Sequence, residues 1–218
     1  MSRSSPTTPK KPPARAAVFG LDDGIAALKA GELVVYPTET FYALGADAFS
    51  STALRRLFRV KGREPGRPVG LIAADTAMAF SVAREIPIDA RRLAGAFWPG
   101  PLTIVLPARE DLAPELTGHD GVGVRVSPNP VARALSAAIG RPITATSANL
   151  VGKAPATTLD EARAELGGKV KVYLEGGKLP ASAPSTVVAV KESEWIMVRI
   201  GAISEDQIAA ALAGDALK

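Results

Sequence analysis

Between Arg55 and Arg67 the chain sets Arg55, Arg56, Arg59, Lys61, Arg63 and Arg67 against a single acid, Glu64. Such a run can be a solvated helix face, a nucleic-acid patch or a clamp on nucleotide phosphates. Residues 51–60, "STALRRLFRV", carry Ala53, Leu54, Leu57 and Phe58 at i, i+1, i+4 and i+5. That spacing predicts a helix with its arginines on or beside the solvated face. Cations after a helix C-terminus complement its dipole, which accounts for Arg59 and Lys61. It leaves Arg63 and Arg67 in the loop "KGREPGRP" (61–68) unexplained. There proline lowers the entropy cost of fixing the loop, and glycine allows backbone to approach a ligand closely. Two or three fixed cations in that loop would neutralise a polyphosphate, with arginine supplying forked contacts.

Further polar residues collect where apolar runs stop. "YPTETFYALG" (36–45) offers Thr38, Glu39, Thr40 and Tyr42 just past a strand, the usual place for ligand contacts in α/β sheets. The same residues could instead cap a strand-to-helix turn. "TATSANLVGKAPATT" (144–158) presents Ser147 and Asn149 two residues apart, so both side chains point the same way in extended chain. An Asx or Ser turn is the alternative. Arg125 sits inside the apolar run "GVGVRVS" and needs an anionic partner, either a ligand or a structural Asp or Glu. "PSTVV" and "VRIG" add Ser185, Thr186 and Arg199.

Common chemistries are excluded by what the chain lacks. It has no cysteine and one histidine, His119, in the turn-like "TGHDG". Thiol catalysis, disulfides, a histidine-rich metal site and a Ser-His-Asp triad therefore drop out. No Walker-type phosphate loop and no complete G-x-G-x-x-G fingerprint occurs, so phosphate would have to be held in another way.

These loops need a scaffold, and 218 residues with 47% hydrophobic content can build one core. Helical patterns are read over 22–30, 51–60, 75–84, 88–97 and 130–140, with two more opened by capping boxes at Thr158/Glu161 and Ser204/Gln207. Strands are read over 32–38, 69–74, 102–108, 121–127 and 142–148, and in "VKVYLEGG", "STVVAVK" and "EWIMVRIG". This alternation predicts one α/β domain over 18–218 with a mixed twisted sheet, preceded by a disordered basic tail over 1–17. The formal charge of +4 resides wholly in that tail, in Arg3, Lys10, Lys11 and Arg15; the rest balances 22 basic against 22 acidic side chains. Global charge is thus no argument for nucleic acid. No apolar run spans a bilayer and the N-terminus lacks a secretory pattern, so no membrane partner is expected and a cytoplasmic location is.

Taken in order, "YPTETFYALG", "KGREPGRP", "WPGPLTIVLPA", "GVGVRVSPNP", "TSANLVGKAP", "PSTVV" and "VRIGAIS" resemble the YrdC/TsaC family of threonylcarbamoyl-AMP synthases across roughly residues 20–205. The K-x-R pair Lys61 and Arg63 and the S-x-N pair Ser147 and Asn149 are both present, whereas YciO-type relatives alter them. The resemblance implies a twisted sheet of parallel and antiparallel strands, helices packed around it, and a large positively charged cavity. It also implies joining L-threonine, bicarbonate and ATP into threonylcarbamoyl-AMP and pyrophosphate, for the N6-threonylcarbamoyl modification of adenosine 37 in tRNA. Thr38, Arg125, Ser147 and Ser185 would face threonine, with Tyr42 lining the cavity. Lys61, Arg63, Arg67 and Arg199 would face the ATP phosphates and carbonate, and Asn149 the nucleotide end. Lys61, Arg63, Ser147 and Asn149 would be the catalytic set. Mg²⁺ would ride on the triphosphate, with no protein metal ligand. Downstream tRNA threonylcarbamoyl transferase proteins would be partners, and tRNA a further contact.

Three positions depart from the family pattern. Glu64 replaces a proline after K-G-R, Val151 stands where a serine is common, and Ile72 stands where some members have a histidine. The chain ends without the C-terminal domain of the longer branch, favouring the short single-domain form. Two other readings stay open: an RNA-binding module using Arg55, Arg56, Arg59 and the tail, and a YciO-like nucleotide binder without synthase activity.

Overall fold

A computed structural model describes residues 19–62, 68–118, 121–180, 183–192 and 194–214. The tail, Arg63, Glu64, Arg67 and His119 lie outside the described residues. The helices are α1 (Leu21–Lys29), α2 (Ser51–Lys61), α3 (Thr76–Phe80), α4 (Ile88–Phe97), α5 (Pro130–Ile139), α6 (Leu159–Leu166) and α7 (Glu205–Ala213). The strands are β1 (Val34–Tyr36), β2 (Ala43–Gly45), β3 (Leu71–Ala73), β4 (Leu102–Leu106), β5 (Thr117–Gly118), β6 (Gly121–Val126), β7 (Ile143–Thr144), β8 (Thr146–Ser147), β9 (Val172–Tyr173), β10 (Thr186–Lys191) and β11 (Glu194–Arg199).

Local chemistry sets the helix ends. Ser50 accepts from the Ala53 amide to start α2, and Gly62 at φ 59° stops it in the left-handed conformation. Asn129 caps α5 with proline at its first turn, and Gly140 closes it. Both capping boxes are present, Thr158 with Glu161 on α6 and Ser204 with Gln207 on α7.

The mixed α/β class stands, but the strands divide between two sheets. The smaller has the order β8-β2-β1-β9; the larger runs β11-β10-β4-β6-β3-β7, with β5 added to β6. The stretch read as one strand over 142–148 breaks at Ala145. β7 pairs antiparallel with β3 in the large sheet, whereas β8 pairs antiparallel with β2 in the small one. The Ala145 amide donates to the Gly70 carbonyl at the crossing, so the chain steps between sheets with its backbone satisfied. Likewise "YPTETFYALG" does not lead into a helix. It is a hairpin whose second strand, β2, returns along β1 with Tyr36 opposite Ala43. β2 is buried on both faces, so it displays neither strand alternation nor a helical period.

Alternation in the large sheet separates core from site. Leu102, Ile104, Leu106, Val122, Val124, Val126, Val188 and Val190 pack into one apolar cluster with Leu93 of α4 and Ile208 of α7. Burying each such side chain contributes about 1.5–3 kcal/mol. The intervening residues point to the other face.

Candidate active site

That other face opens onto a cavity of about 850 Å³. Thr103 and Val105 of β4, Gly121, Gly123 and Arg125 of β6, and Val187 of β10 with the preceding Ser185 line its floor, all at the two-residue period of a strand. The walls come from the β1–β2 hairpin, the end of α2, the crossing segment 145–149 and the edge strand β11. Glycine keeps the floor low. A Cβ on Gly121, at φ +119°, would lie 2.0 Å from the Leu106 carbonyl oxygen, so no other residue fits there.

Lys61, the last residue of α2, is 4% exposed. Its Nζ donates to the Ser147 carbonyl at 2.7 Å and to the Asn149 carbonyl. The lysine therefore clamps the backbone that presents Ser147 and Asn149. Asn149 Nδ2 donates to the carbonyls of Leu150 (3.0 Å) and Lys153 (2.6 Å). Its Oδ1 is buried with no hydrogen-bond partner among the described residues. A buried acceptor of that kind is costly without a donor, and a ligand bordering it can supply one.

Across the cavity, Arg199 donates through Nε and Nη2 to the Ser185 carbonyl (3.1 and 2.8 Å) and through Nη2 to Ser185 Oγ (3.0 Å). Ser185 Oγ is also hydrogen-bonded to Thr103 Oγ1 at 3.0 Å, either hydroxyl able to donate. Arg125, 8% exposed, brings Nε within 3.0 Å of Glu39 Oε1. The structural acid left open by sequence is thus Glu39, on the hairpin. Thr38 Oγ1 donates to the Phe41 carbonyl at 2.7 Å and accepts from the amides of Thr40 and Phe41, closing the hairpin turn. Tyr42 OH donates to the Gly177 carbonyl at 2.8 Å and accepts from the Gly176 amide at 2.9 Å, latching the hairpin to the loop after β9.

Thr38, Tyr42, Lys61, Arg125, Ser147, Asn149, Ser185 and Arg199 all border this one cavity. Thr103 was not among the candidates, although a hydroxyl inside the apolar run "LTIVLPA" was a readable signal. Ile72 is wholly buried in the apolar cluster with Tyr36 and Ala43 and does not border the cavity. Val151 stands at the rim, 55% exposed. Of the three helix arginines, Arg56 pairs with Glu32, and Arg55 donates to Thr52 at 3.3 Å.

A family model described as "Telomere recombination" and covering Sua5, YciO and YrdC proteins matches residues 26–201. A Vibrio cholerae protein named threonylcarbamoyl-AMP synthase is 38% identical over 175 residues, 79% of this chain and 93% of that relative. The crystal structure of Pyrococcus abyssi Sua5 complexed with L-threonine superposes with a TM-score of 0.84 at 34% identity. It matches 88% of this chain, which spans 57% of the Pyrococcus protein. Escherichia coli YciO superposes with a TM-score of 0.77 at 26% identity, over 86% of this chain and 92% of that one. The chain belongs to the Sua5/YciO/YrdC family.

In this Sua5/YciO/YrdC chain Lys61, Arg125 and Arg199 are the cations that border the cavity among the described residues. Arg199 is held below the usual arginine range by burial first and then by the nearby Arg125 charge. Two guanidiniums felt by one another across a cavity favour an anionic occupant. Burial pushes the Tyr42 hydroxyl up to about 12, so it remains a neutral donor and acceptor at physiological pH. The polar side chains bordering the cavity are cations, hydroxyls and an amide, a set suited to phosphate and carboxylate oxygens. Among the described residues no group of three His, Cys, Asp or Glu side chains could hold a metal ion, and no helix is long and apolar enough to cross a membrane.

Proposed function

We propose that this chain is an L-threonylcarbamoyladenylate synthase. The observation carrying this reading is the convergence of Lys61, the Ser147–Asn149 loop, Arg125 and the Arg199–Ser185 pair on one large cavity, in a chain of this family. L-threonine binds through its carboxylate to Arg125, with Thr38, Ser147 and Ser185 around it. Lys61 and Arg199, with Arg63 and Arg67 from the loop beyond α2, attend the ATP phosphates and carbonate, and Asn149 the nucleotide end.

The threonine amine condenses with bicarbonate, losing water, to give a carbamate. A carbamate oxygen then attacks the α-phosphorus in line, and the bond to the leaving pyrophosphate breaks. The carbamate is its own nucleophile, so the protein supplies position and charge stabilisation rather than a nucleophilic side chain. ATP enters with Mg²⁺ held by phosphate oxygens and water. The product serves the threonylcarbamoyl modification of tRNA adenosine, passed in the cytoplasm to separate transferase proteins, with tRNA contact at that stage. We assign the catalytic domain to residues 18–218 and treat the basic residues 1–17 as a segment preceding it in sequence.

Incubation with ATP, L-threonine, bicarbonate, Mg²⁺ and pyrophosphatase should yield threonylcarbamoyl-AMP strictly dependent on threonine, read by mass spectrometry. No product from folded protein would sink the reading and leave a YciO-like nucleotide binder. Arg63→Ala should weaken ATP binding while Arg55→Ala leaves it unchanged. Equal losses would point instead to a diffuse basic patch of the RNA-binding kind.

A further inference from the structure

Among the described residues, Glu39 pairs with the cavity-lining Arg125, yet it does not itself border the cavity. Its Oε1 approaches Arg125 Nε at 3.0 Å, and its Oε2 accepts from Ser127 Oγ. Ser127 Oγ in turn accepts from the Asn129 amide at 3.1 Å, where Asn129 caps α5. A carboxylate on the β1–β2 hairpin is therefore anchored to the far end of β6. The approach to Arg125 is a charge pairing rather than a linear hydrogen bond: among the described residues neither Glu39 Oε1 nor Arg125 Nε makes a hydrogen bond of good geometry. Arg125 itself borders the cavity.

An arginine fork reads a carboxylate best when its plane is fixed before the ligand arrives. An acid on the Nε side can fix that plane and leave the Nη edge for the ligand. It also offsets one of two cations that oppose each other, since Arg199 already feels the charge of Arg125. We infer that Glu39 is a positioning residue for amino-acid recognition, acting through Arg125 to present a fixed guanidinium edge to the carboxylate of a small α-amino acid. This rests on the synthase reading above. Glu39 contacts Arg125 and Ser127 and no residue assigned to the triphosphate, so its removal should separate the two substrates.

The test is Glu39→Gln, which keeps size and the Ser127 contact but removes the charge, in the wild-type and Arg125→Lys backgrounds. L-threonine binding by calorimetry, and KM for threonine and for ATP, are measured with melting temperature as a fold check. Glu39→Gln should weaken threonine binding about tenfold, the scale of a charge-assisted contact, and leave the ATP KM within about twofold. In the Arg125→Lys background the same change should add less than about twofold, since the residue acts through Arg125. Glu39→Asp should restore part of the loss. Unchanged threonine affinity, equal losses for both substrates, or the same effect in both backgrounds would overturn the inference. Wild-type protein that binds no L-threonine would sink the synthase reading and this inference together, whereas wild-type binding with an indifferent Glu39→Gln sinks this inference alone.

Discussion

The ammonium of Lys61 donates to the backbone carbonyl of Ser147 at 2.7 Å, joining the end of α2 to the loop that carries Ser147 and Asn149. Its second bond, to the Asn149 carbonyl, makes the lysine a clamp on backbone as well as a charge in the cavity. Lys61→Met removes the donor from two carbonyls. A loss of about 2–4 kcal/mol is expected, or about 5–15 °C in melting temperature for a domain of this size. Synthase activity should fall with it by about 10- to 100-fold or more, and Lys61→Arg should not restore it, because a planar fork cannot replace a compact ammonium between two carbonyls. Thermal melts and product assays on both variants check this.

Arg199 commits Nε and Nη2 to Ser185, which fixes the guanidinium at the cavity wall. Arg199→Lys keeps the charge and loses the fork. The ATP KM should rise about tenfold with the threonine KM little changed, measured by steady-state kinetics with each substrate varied. An unaltered ATP KM would remove Arg199 from the phosphate site.

Tyr42 gives the fold a dependence on alkaline pH. Burial raises its hydroxyl from the ordinary value of 10.0 to about 12. The folded state therefore holds the phenol proton more tightly than the unfolded chain. The resulting stability is complete below pH 10 and is lost as pH rises from about 10 through about 12. Tyr173, also raised to about 12 by burial, acts in the same window. Tyr42→Phe should flatten the decline of stability across that window in urea melts. At neutral pH it should cost about 1–2 kcal/mol, because Gly176 and Gly177 lose the hydroxyl that satisfies them.

Gly123 lies on the cavity floor beside Thr103, and a Cβ there would stand 3.2 Å from Thr103 Cγ2. Gly123→Val should place methyl groups in the cavity while costing only about 1–3 kcal/mol of stability, a typical penalty for overpacking. Substrate binding should be lost in a protein that still melts cooperatively. Retained binding would mean that the floor at Gly123 is not where the substrates lie.

Much of this arrangement was legible one segment at a time. The helix over 88–97, the arginine-flanked helix ending near Lys61 and both capping boxes rest on interactions within about four residues, which is the range over which periodicity and capping act. The need of Arg125 for an anionic partner, a ligand or a structural acid, was equally readable, because an apolar strand cannot hold a lone charge. The identity of that partner was not. Glu39 lies on a hairpin that local pattern could not separate from a strand-to-helix turn. Strand β2 is buried on both faces, and the run 142–148 looks continuous although its halves join different sheets.

By itself the sequence determined the helices and the chemical types available along the chain: cations at and beyond the end of α2, a hydroxyl and an amide at Ser147 and Asn149, an arginine inside β6. Only the tertiary structure decided which of these meet. Lys61 reaches Ser147 across 86 residues, and Glu39 is held to Ser127 across 88. Contacts at such separations depend on strand pairing and on two sheets sharing one crossing segment at Ala145. Those choices are made by the packing of the whole chain, and short-range residue preferences do not record them.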